Sequence, residues 1–255
     1  MPGTSADPAF ATTAAALTAP GRNVPRSAAS FLAMMAGLAV IKVLLMRWVP
    51  TAFASAAQAQ VFSWTWIGGL TVVGLVGVWF AARTGFPETW DPAVPLRDRV
   101  LLPVLSGIIL GSIALVTDAL THWTAIVAEK MKVHSIHIGF PASLFVYPGA
   151  AVIVNTLYYL VPIPLFMWLL SLVTGGRWST RIFWTVGILA ALIEPLTQNL
   201  AGVVGAGLTA ALFAEDFALN LVQVITFRRA GFGASVIVRV VYYLIWHALW
   251  GAIRG

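Results

Sequence analysis

The sequence predicts an all-α, polytopic transmembrane helix bundle with six to eight membrane segments. Of its 255 residues, 60% are hydrophobic and only 9% are charged, and the mean hydropathy is +0.90. Soluble domains average about 25% charged residues, so this composition excludes a soluble globular protein. The apolar runs are long and continuous, whereas the strands of a transmembrane barrel alternate in polarity every second residue. The pattern therefore favours helices.

The first 27 residues are rich in Ala, Thr, Pro and Gly and predict a disordered tail, followed by a single transmembrane domain over residues 28–255. The first apolar run, residues 30–48, precedes the small-residue stretch TAFASAAQAQ, an order that is also typical of a cleaved signal peptide. The length of the run, its Lys42 and Arg47, and the long tail before it favour a retained first span.

Glycines mark the second and third predicted spans, residues 61–82 and 100–120. Gly107 and Gly111 have the G-x-x-x-G spacing of close helix packing. The second span contains four glycines that could allow neighbouring helices to approach: Gly68, Gly69, Gly74 and Gly77. The proline-rich loop of residues 83–99 is too polar to insert into a membrane.

Residues 121–141 predict a polar connection between spans. His134 and His137 are three residues apart and could ligate a metal ion if the segment were helical, with His122 or Glu129 completing the set. A solvated loop is the favoured interpretation.

The apolar run of residues 142–174 exceeds the roughly 20 residues of one crossing. Its prolines, Pro148, Pro162 and Pro164, predict either a kinked span or a re-entrant piece followed by a span. Residues 182–227 are interrupted by Glu194-Pro195, and Glu215-Asp216 predicts a turn. The final span covers residues 230–251.

The distribution of basic residues predicts a cytoplasmic N-terminus, because Lys and Arg collect on the cytoplasmic side of membrane proteins. One set of alternate loops holds Arg22, Arg26, Arg83, Arg97, Arg99, Arg177, Arg181, Arg228 and Arg229. The opposite set holds Arg47, Lys130, Lys132 and Arg254. We expect an integral protein of a bacterial inner membrane.

Glu194 is the first candidate functional residue. A carboxylate at mid-span costs a few kcal/mol on insertion scales, so it is expected to face the bundle interior. Gln198 lies one turn later on the same face. Glu194 could activate a water molecule, or it could form a structural ion pair with Arg239.

The last span carries Arg239, Tyr243 and His247 at four-residue spacing, which places all three on one face of a helix. His247 could be a general base, a metal ligand or an interfacial packing residue. Three membrane amides, Asn155, Asn220 and Gln223, are further candidates. Asn220 and Gln223 are three residues apart and could line a cavity, although such side chains more often bridge helices.

The region of residues 141–251 resembles the CAAX-protease and bacteriocin-processing family of intramembrane peptidases. The resemblance is clearest where ITFRRAGFGAS ends one helix and YYLIWHALWG ends the next. The family has a bundle of about eight helices and three motifs: E-E-x-x-x-R, F-x-x-x-H, and H-x-x-x-N or H-x-x-x-D. His247 matches the histidine of the last motif, while Gly251 replaces its Asn or Asp.

The glutamate pair has no counterpart in VNTLYYLVPIPLF, and ILAALIEPLTQ lacks both the Phe and the His of the second motif. The resemblance thus implies a degenerate member without proteolytic activity, with a divalent metal such as zinc as cofactor, ligated by His247, if it were active. The alternative is a non-catalytic protein that binds a lipid, a small molecule or partner helices through a buried cluster of Glu194, Arg239 and His247. The expected partners are the bilayer and its lipids or proteins. No basic patch with interleaved aromatics predicts nucleic-acid binding.

Overall fold

The computed structural model describes residues 24–49, 56–197 and 200–254, and within these ranges the chain is helical without strands. Within the described ranges, seven helices are long and apolar enough to cross a membrane. We number them α1 to α7: Val24–Trp48, Trp64–Arg83, Arg97–Thr121, Ser143–Thr174, Ser179–Thr197, Ala206–Ala230 and Phe232–Ile253. The predicted all-α bundle of six to eight membrane segments is confirmed, and the protein is an integral membrane protein that contacts the lipid bilayer.

α1 and α3 are two of the helices that begin before their predicted starts. α1 begins at Val24, so its first turn includes the last four residues that were predicted to belong to the tail, while residues 1–23 lie outside the described ranges. α3 begins at Arg97, before the predicted start at residue 100. Its first turn is π-helical and contains the polar residues Arg97, Asp98 and Arg99. Residues 51–55 of the small-residue stretch also lie outside the described ranges.

α4 is one membrane-length helical segment, Ser143–Thr174, which favours the single span over a re-entrant piece followed by a span for residues 142–174. A regular helix, Ser143–Asn155, contains Pro148 and passes into a π-helical turn over Thr156–Leu160. The helix then continues from Pro162 to Thr174. Because Pro162 has no backbone N–H to donate, the regular hydrogen bonding is interrupted there, and the chain widens into the π-helical turn immediately before it.

The predicted turn at Glu215-Asp216 is wrong. Both acids lie inside α6, which runs without a break from Ala206 to Ala230. Residues 217–227 are too few to cross a membrane alone, and they continue the helix that begins at Ala206. Thr117 Oγ1 of α3 donates a 2.9 Å hydrogen bond to Glu215, so this carboxylate has a partner within the bundle.

The polar connection of residues 121–141 is partly helical, contrary to the favoured loop interpretation. A short helix spans Trp123–Met131. Asp118, at the end of α3, is fully buried and accepts hydrogen bonds from Thr124 N at 3.0 Å and from Trp250 Nε1 of α7 at 2.5 Å. One carboxylate thus joins α3, the short helix and the end of α7.

The glycines of α3 face α7, which confirms the packing interpretation of the G-x-x-x-G pair. A Cβ atom at Gly107 would lie 2.7 Å from the carbonyl oxygen of Val238, and one at Gly111 would lie 3.1 Å from that of Tyr242. Gly111 follows Gly107 in α3, and its partner Tyr242 follows Val238 in α7. α3 and α7 therefore run parallel. In α2, a Cβ atom at Gly74 or Gly77 would meet a neighbouring helix, whereas one at Gly68 or Gly69 would meet nothing within 4 Å outside the backbone of its own helix.

Candidate functional site

Four helices, α4 to α7, direct polar side chains into one region of the bundle interior. We call this cluster the Arg239 network; its members are Asn155, Tyr159, Glu194, Asn220, Gln223, Ser235, Arg239 and Tyr243. Arg239 is fully buried at its centre. A guanidinium in this position needs hydrogen-bond partners for all five N–H groups, because hydrocarbon provides none.

Glu194 pairs with Arg239 in a two-pronged salt bridge. Arg239 Nη1 donates to Glu194 Oε1 at 2.8 Å, and Nη2 donates to Oε2 at 2.6 Å. Parallel N–H···O bonds of this kind are the strongest hydrogen bonds between protein side chains. The Glu194 side chain is 15% exposed and that of Arg239 only 1%, so the pair lies at the edge of the buried region.

The remaining donors of Arg239 reach four other side chains, among them the Tyr159 hydroxyl, which lies 3.4 Å from Nη2. Its Nε donates to Gln223 Oε1 at 2.9 Å, its Nη1 to the Tyr243 hydroxyl at 3.0 Å, and its Nη2 to Asn220 Oδ1 at 2.6 Å. The Tyr159 hydroxyl also donates to Asn220 Oδ1. Every nitrogen of the guanidinium therefore has an acceptor, which offsets much of the cost of removing its charge from water.

A second layer of bonds ties Gln223 to α4 and α7. Gln223 Nε2 donates to Asn155 Oδ1 at 2.8 Å and to the backbone oxygen of Ser235 at 3.3 Å. Ser235 Oγ donates to the same Asn155 oxygen at 2.7 Å. Asn155 in turn donates to the carbonyl of Ala151 within its own helix. These bonds assign the orientation of the amides and link α4, α6 and α7 at one level.

His247 lies in a different group of side chains, within the π-helical segment Leu244–Trp250 of α7. Its Nδ1 is 3.0 Å from Nδ1 of His137, which belongs to the connection before α4. The Tyr147 ring stacks on the His247 ring with centroids 4.5 Å apart. A hydrogen bond between two Nδ1 atoms requires one donor and one acceptor, so at least one of these two rings is neutral.

The structure brings together Glu194, Arg239, Tyr243, Asn155 and Asn220, five of the seven predicted site residues. No hydrogen bond joins Glu194 to His247, both of which are described; Tyr243 lies between them, 5.2 Å from the His247 ring by centroid and bonded to Arg239. Gln198 lies outside the described residues.

Tyr159 and Ser235 were not predicted as site residues. Each had a signal in the sequence: Tyr159 is one turn after Asn155, and Ser235 is one turn before Arg239. Gln223, three residues after Asn220, belongs to the network in the same way.

Two further features bear on the chemistry of this region. Asp216 of α6 interacts electrostatically with Glu194 and Arg239. It also lines a small, partly open pocket together with Pro195, Leu200, Thr209, Leu212 and Phe213. Across the described ranges there is no group of three or more His, Asp or Glu side chains that could together hold a metal ion.

Comparison with known proteins identifies no relative of this chain. The chain matches no protein-family model, no curated protein and no solved structure. The class of protein is therefore defined by the fold and the site alone: an integral membrane protein whose described residues include seven membrane-length apolar helices, four of which contribute to a buried arginine–glutamate network.

Proposed function

We propose that this chain is a non-catalytic membrane protein that acts by binding a lipid, a small molecule or a partner helix within the bilayer. In this proposal the Arg239 network holds α4 to α7 in register. The observation that carries the proposal is the two-pronged contact between Arg239 and Glu194.

The occupied oxygens of Glu194 argue against a hydrolase. A general base must be within hydrogen-bond reach of the water that it activates, directly or through one other water. Both Glu194 oxygens accept from Arg239 instead, and His247 is bonded to His137. The bonds that the structure gives to these atoms of Glu194 and His247 therefore go to other partners and not to each other.

The family resemblance is compatible with this proposal as that of a degenerate, non-proteolytic member. Gly251, at the position of the family's Asn or Asp, packs against His137: a Cβ atom at residue 251 would lie 2.9 Å from His137 Cβ. A larger side chain at residue 251 would displace His137. The packing of the chain's own His137 thus accounts for the glycine.

The proposal is tested by comparing the stabilities of Glu194→Gln, Arg239→Gln and the double variant in equilibrium unfolding from mixed micelles. Breaking a buried ion pair by removing one partner costs about 3–5 kcal/mol. We expect each single variant to lose stability on that scale, and the double variant to lose less than the sum of the two.

A catalytic Glu194 predicts the opposite result. Active-site residues are commonly strained or poorly paired, so replacing them leaves stability unchanged or raises it. An undestabilised Glu194→Gln variant, together with a transmembrane peptide that the wild type cleaves and this variant does not, would overturn the proposal.

We further propose that the protein lies in a bacterial inner membrane with its N-terminus in the cytoplasm. Seven crossings would put the loop before α5, with Arg177 and Arg181, on the cytoplasmic side. The connection with Lys130 and Lys132 would lie on the opposite side. Reporter fusions at residues 132 and 177 test this: activity of a periplasm-dependent reporter at residue 177 and not at residue 132 would reverse the orientation.

A further inference from the structure

The segment of residues 132–142, which we call the strap, crosses the end of α7. It forms turns and bends without a helix or strand, and most of its residues are exposed or half-buried. Ile138 and Ala142 are its buried residues. The strap joins the short helix Trp123–Met131 to α4, so both of its ends are anchored on helices.

Three contacts seat the strap on the bundle. His137 Nδ1 lies 3.0 Å from His247 Nδ1 of α7. The backbone N–H of Ile138 donates a 2.8 Å hydrogen bond to the Tyr147 hydroxyl of α4. Gly251 permits the close approach of His137 to α7.

The strap covers the end of the polar face of α7. That face carries Ser235, Arg239, Tyr243 and His247 at four-residue spacing, and His247 is its last polar member beneath the strap. The Tyr243 hydroxyl bonds to Arg239, and the Tyr243 ring contacts His247. A molecule that displaced the strap would therefore meet His247 first, then Tyr243, and then the Arg239 network.

We propose that the strap is a lid over the route from this end of the bundle to the Arg239 network, held shut by the His137–His247 contact. A neutral hydrogen bond changes an equilibrium constant by about 2- to 10-fold. The closed state is thus held by contacts weak enough for a ligand to replace. This inference rests on the contacts of the strap and not on the proposed function.

The first test locks the lid. The chain has no cysteine, so a His137→Cys/Gly251→Cys variant contains a single pair of thiols. Their Cβ atoms need to separate by about 1 Å to reach the usual disulfide spacing of about 3.8 Å. We expect the disulfide to slow hydrogen exchange of the backbone amides of residues 244–250 by at least about 10-fold, with recovery upon reduction.

The wild type, treated with oxidant and then reductant, is the control and is expected to show no change. If the disulfide forms and exchange is equal in both states, the strap does not control access. If no disulfide forms, His137 does not lie against Gly251 and the geometry of the lid is wrong.

The second test measures opening in the full chain. Ile138→Cys places a thiol on the buried side of the strap, and Ala128→Cys places one in the buried face of the adjacent short helix. We expect the thiol at residue 138 to react with a membrane-impermeant maleimide at least about 10-fold faster, since local opening exposes weakly held segments first.

His247→Phe keeps an aromatic ring against Tyr147 but removes the bond to His137. Added to Ile138→Cys, it is expected to raise the labelling rate about 2- to 10-fold. The matched control is Leu249→Ala, an exposed position in the same segment, which is expected to leave the rate unchanged. Equal rates at residues 138 and 128, or no response to His247→Phe, would overturn the lid. Either result would leave the stability test of Glu194 and Arg239 unaffected.

Discussion

Replacing Gln223 by leucine tests whether the second layer of the Arg239 network contributes to stability. The substitution keeps a side chain of similar size but removes an oxygen that accepts from Arg239 Nε at 2.9 Å and a nitrogen that donates to Asn155 at 2.8 Å. Hydrogen bonds to charged groups contribute about 1.5–3 kcal/mol, and neutral ones about 0.5–1.5 kcal/mol. Bonds between membrane helices average only about 0.6 kcal/mol, because the unfolded chain finds other partners in the bilayer.

The charged and fully buried donor places Gln223→Leu above that average, so we expect a loss of about 2–3 kcal/mol. The assay is equilibrium unfolding in mixed micelles. Thr226→Val is the matched control: its hydroxyl is half-buried on the same helix but bonds to Val222 of its own helix, so we expect a change below about 0.5 kcal/mol. Equal changes in the two variants would refute the reasoning, since Arg239 Nε would then have found another acceptor.

Three further tests, with five substitutions, address packing elsewhere in the bundle by the same unfolding assay. Gly107→Ala forces a Cβ atom against α7 and is expected to cost about 1–3 kcal/mol of unfolding free energy. The control Gly68→Ala adds a Cβ atom in open space and is expected to stabilise the protein by up to about 1 kcal/mol. Equal effects would mean that α3 does not pack against α7 at Gly107. Gly231 and Gly205 both have a positive φ, 86° and 84°, but only at residue 231 would a new Cβ atom lie 2.6 Å from a carbonyl oxygen. Gly231→Ala is therefore expected to cost about 1–3 kcal/mol more than Gly205→Ala. A smaller loss at residue 231 would contradict the tight turn. Asp118→Asn turns an amide nitrogen toward N–H and O–H donors and is expected to cost about 1–3 kcal/mol; an unchanged stability would mean that those donors bond elsewhere.

The class of fold could be predicted because it depends on composition and run length. A run of about 20 apolar residues with few charges has few alternatives to a membrane helix. The shared face of Arg239 and Tyr243 could also be predicted, since spacing along one helix determines the face. What spacing cannot provide is the identity of the neighbouring helix. The ion pair between Glu194 and Arg239 was therefore one alternative among several until the helices were in place.

The errors have a common physical cause. Glu215-Asp216 resembles a turn because two adjacent acids disfavour an apolar span. The helix continues through them because the bundle provides partners from other helices, among them Thr117. His137 was paired in the sequence with His134, three residues away, whereas in the fold it bonds to His247, which is 110 residues away. Both cases depend on contacts between segments that are distant in the chain.

The contribution of α7 to the Arg239 network has a consequence for how the protein is made. Chains are synthesised from the N-terminus, so α4, α5 and α6 enter the membrane before Arg239 does. Until then Glu194, Asn220 and Gln223 lack the guanidinium that bonds to them in the finished fold, and Asn155 lacks the Ser235 hydroxyl. A chain cut after Ala230 is expected to accumulate far less than the full chain in pulse-chase experiments, and equal lifetimes would contradict this. Insertion of α7 would thus determine whether the newly made chain is retained in the membrane or degraded.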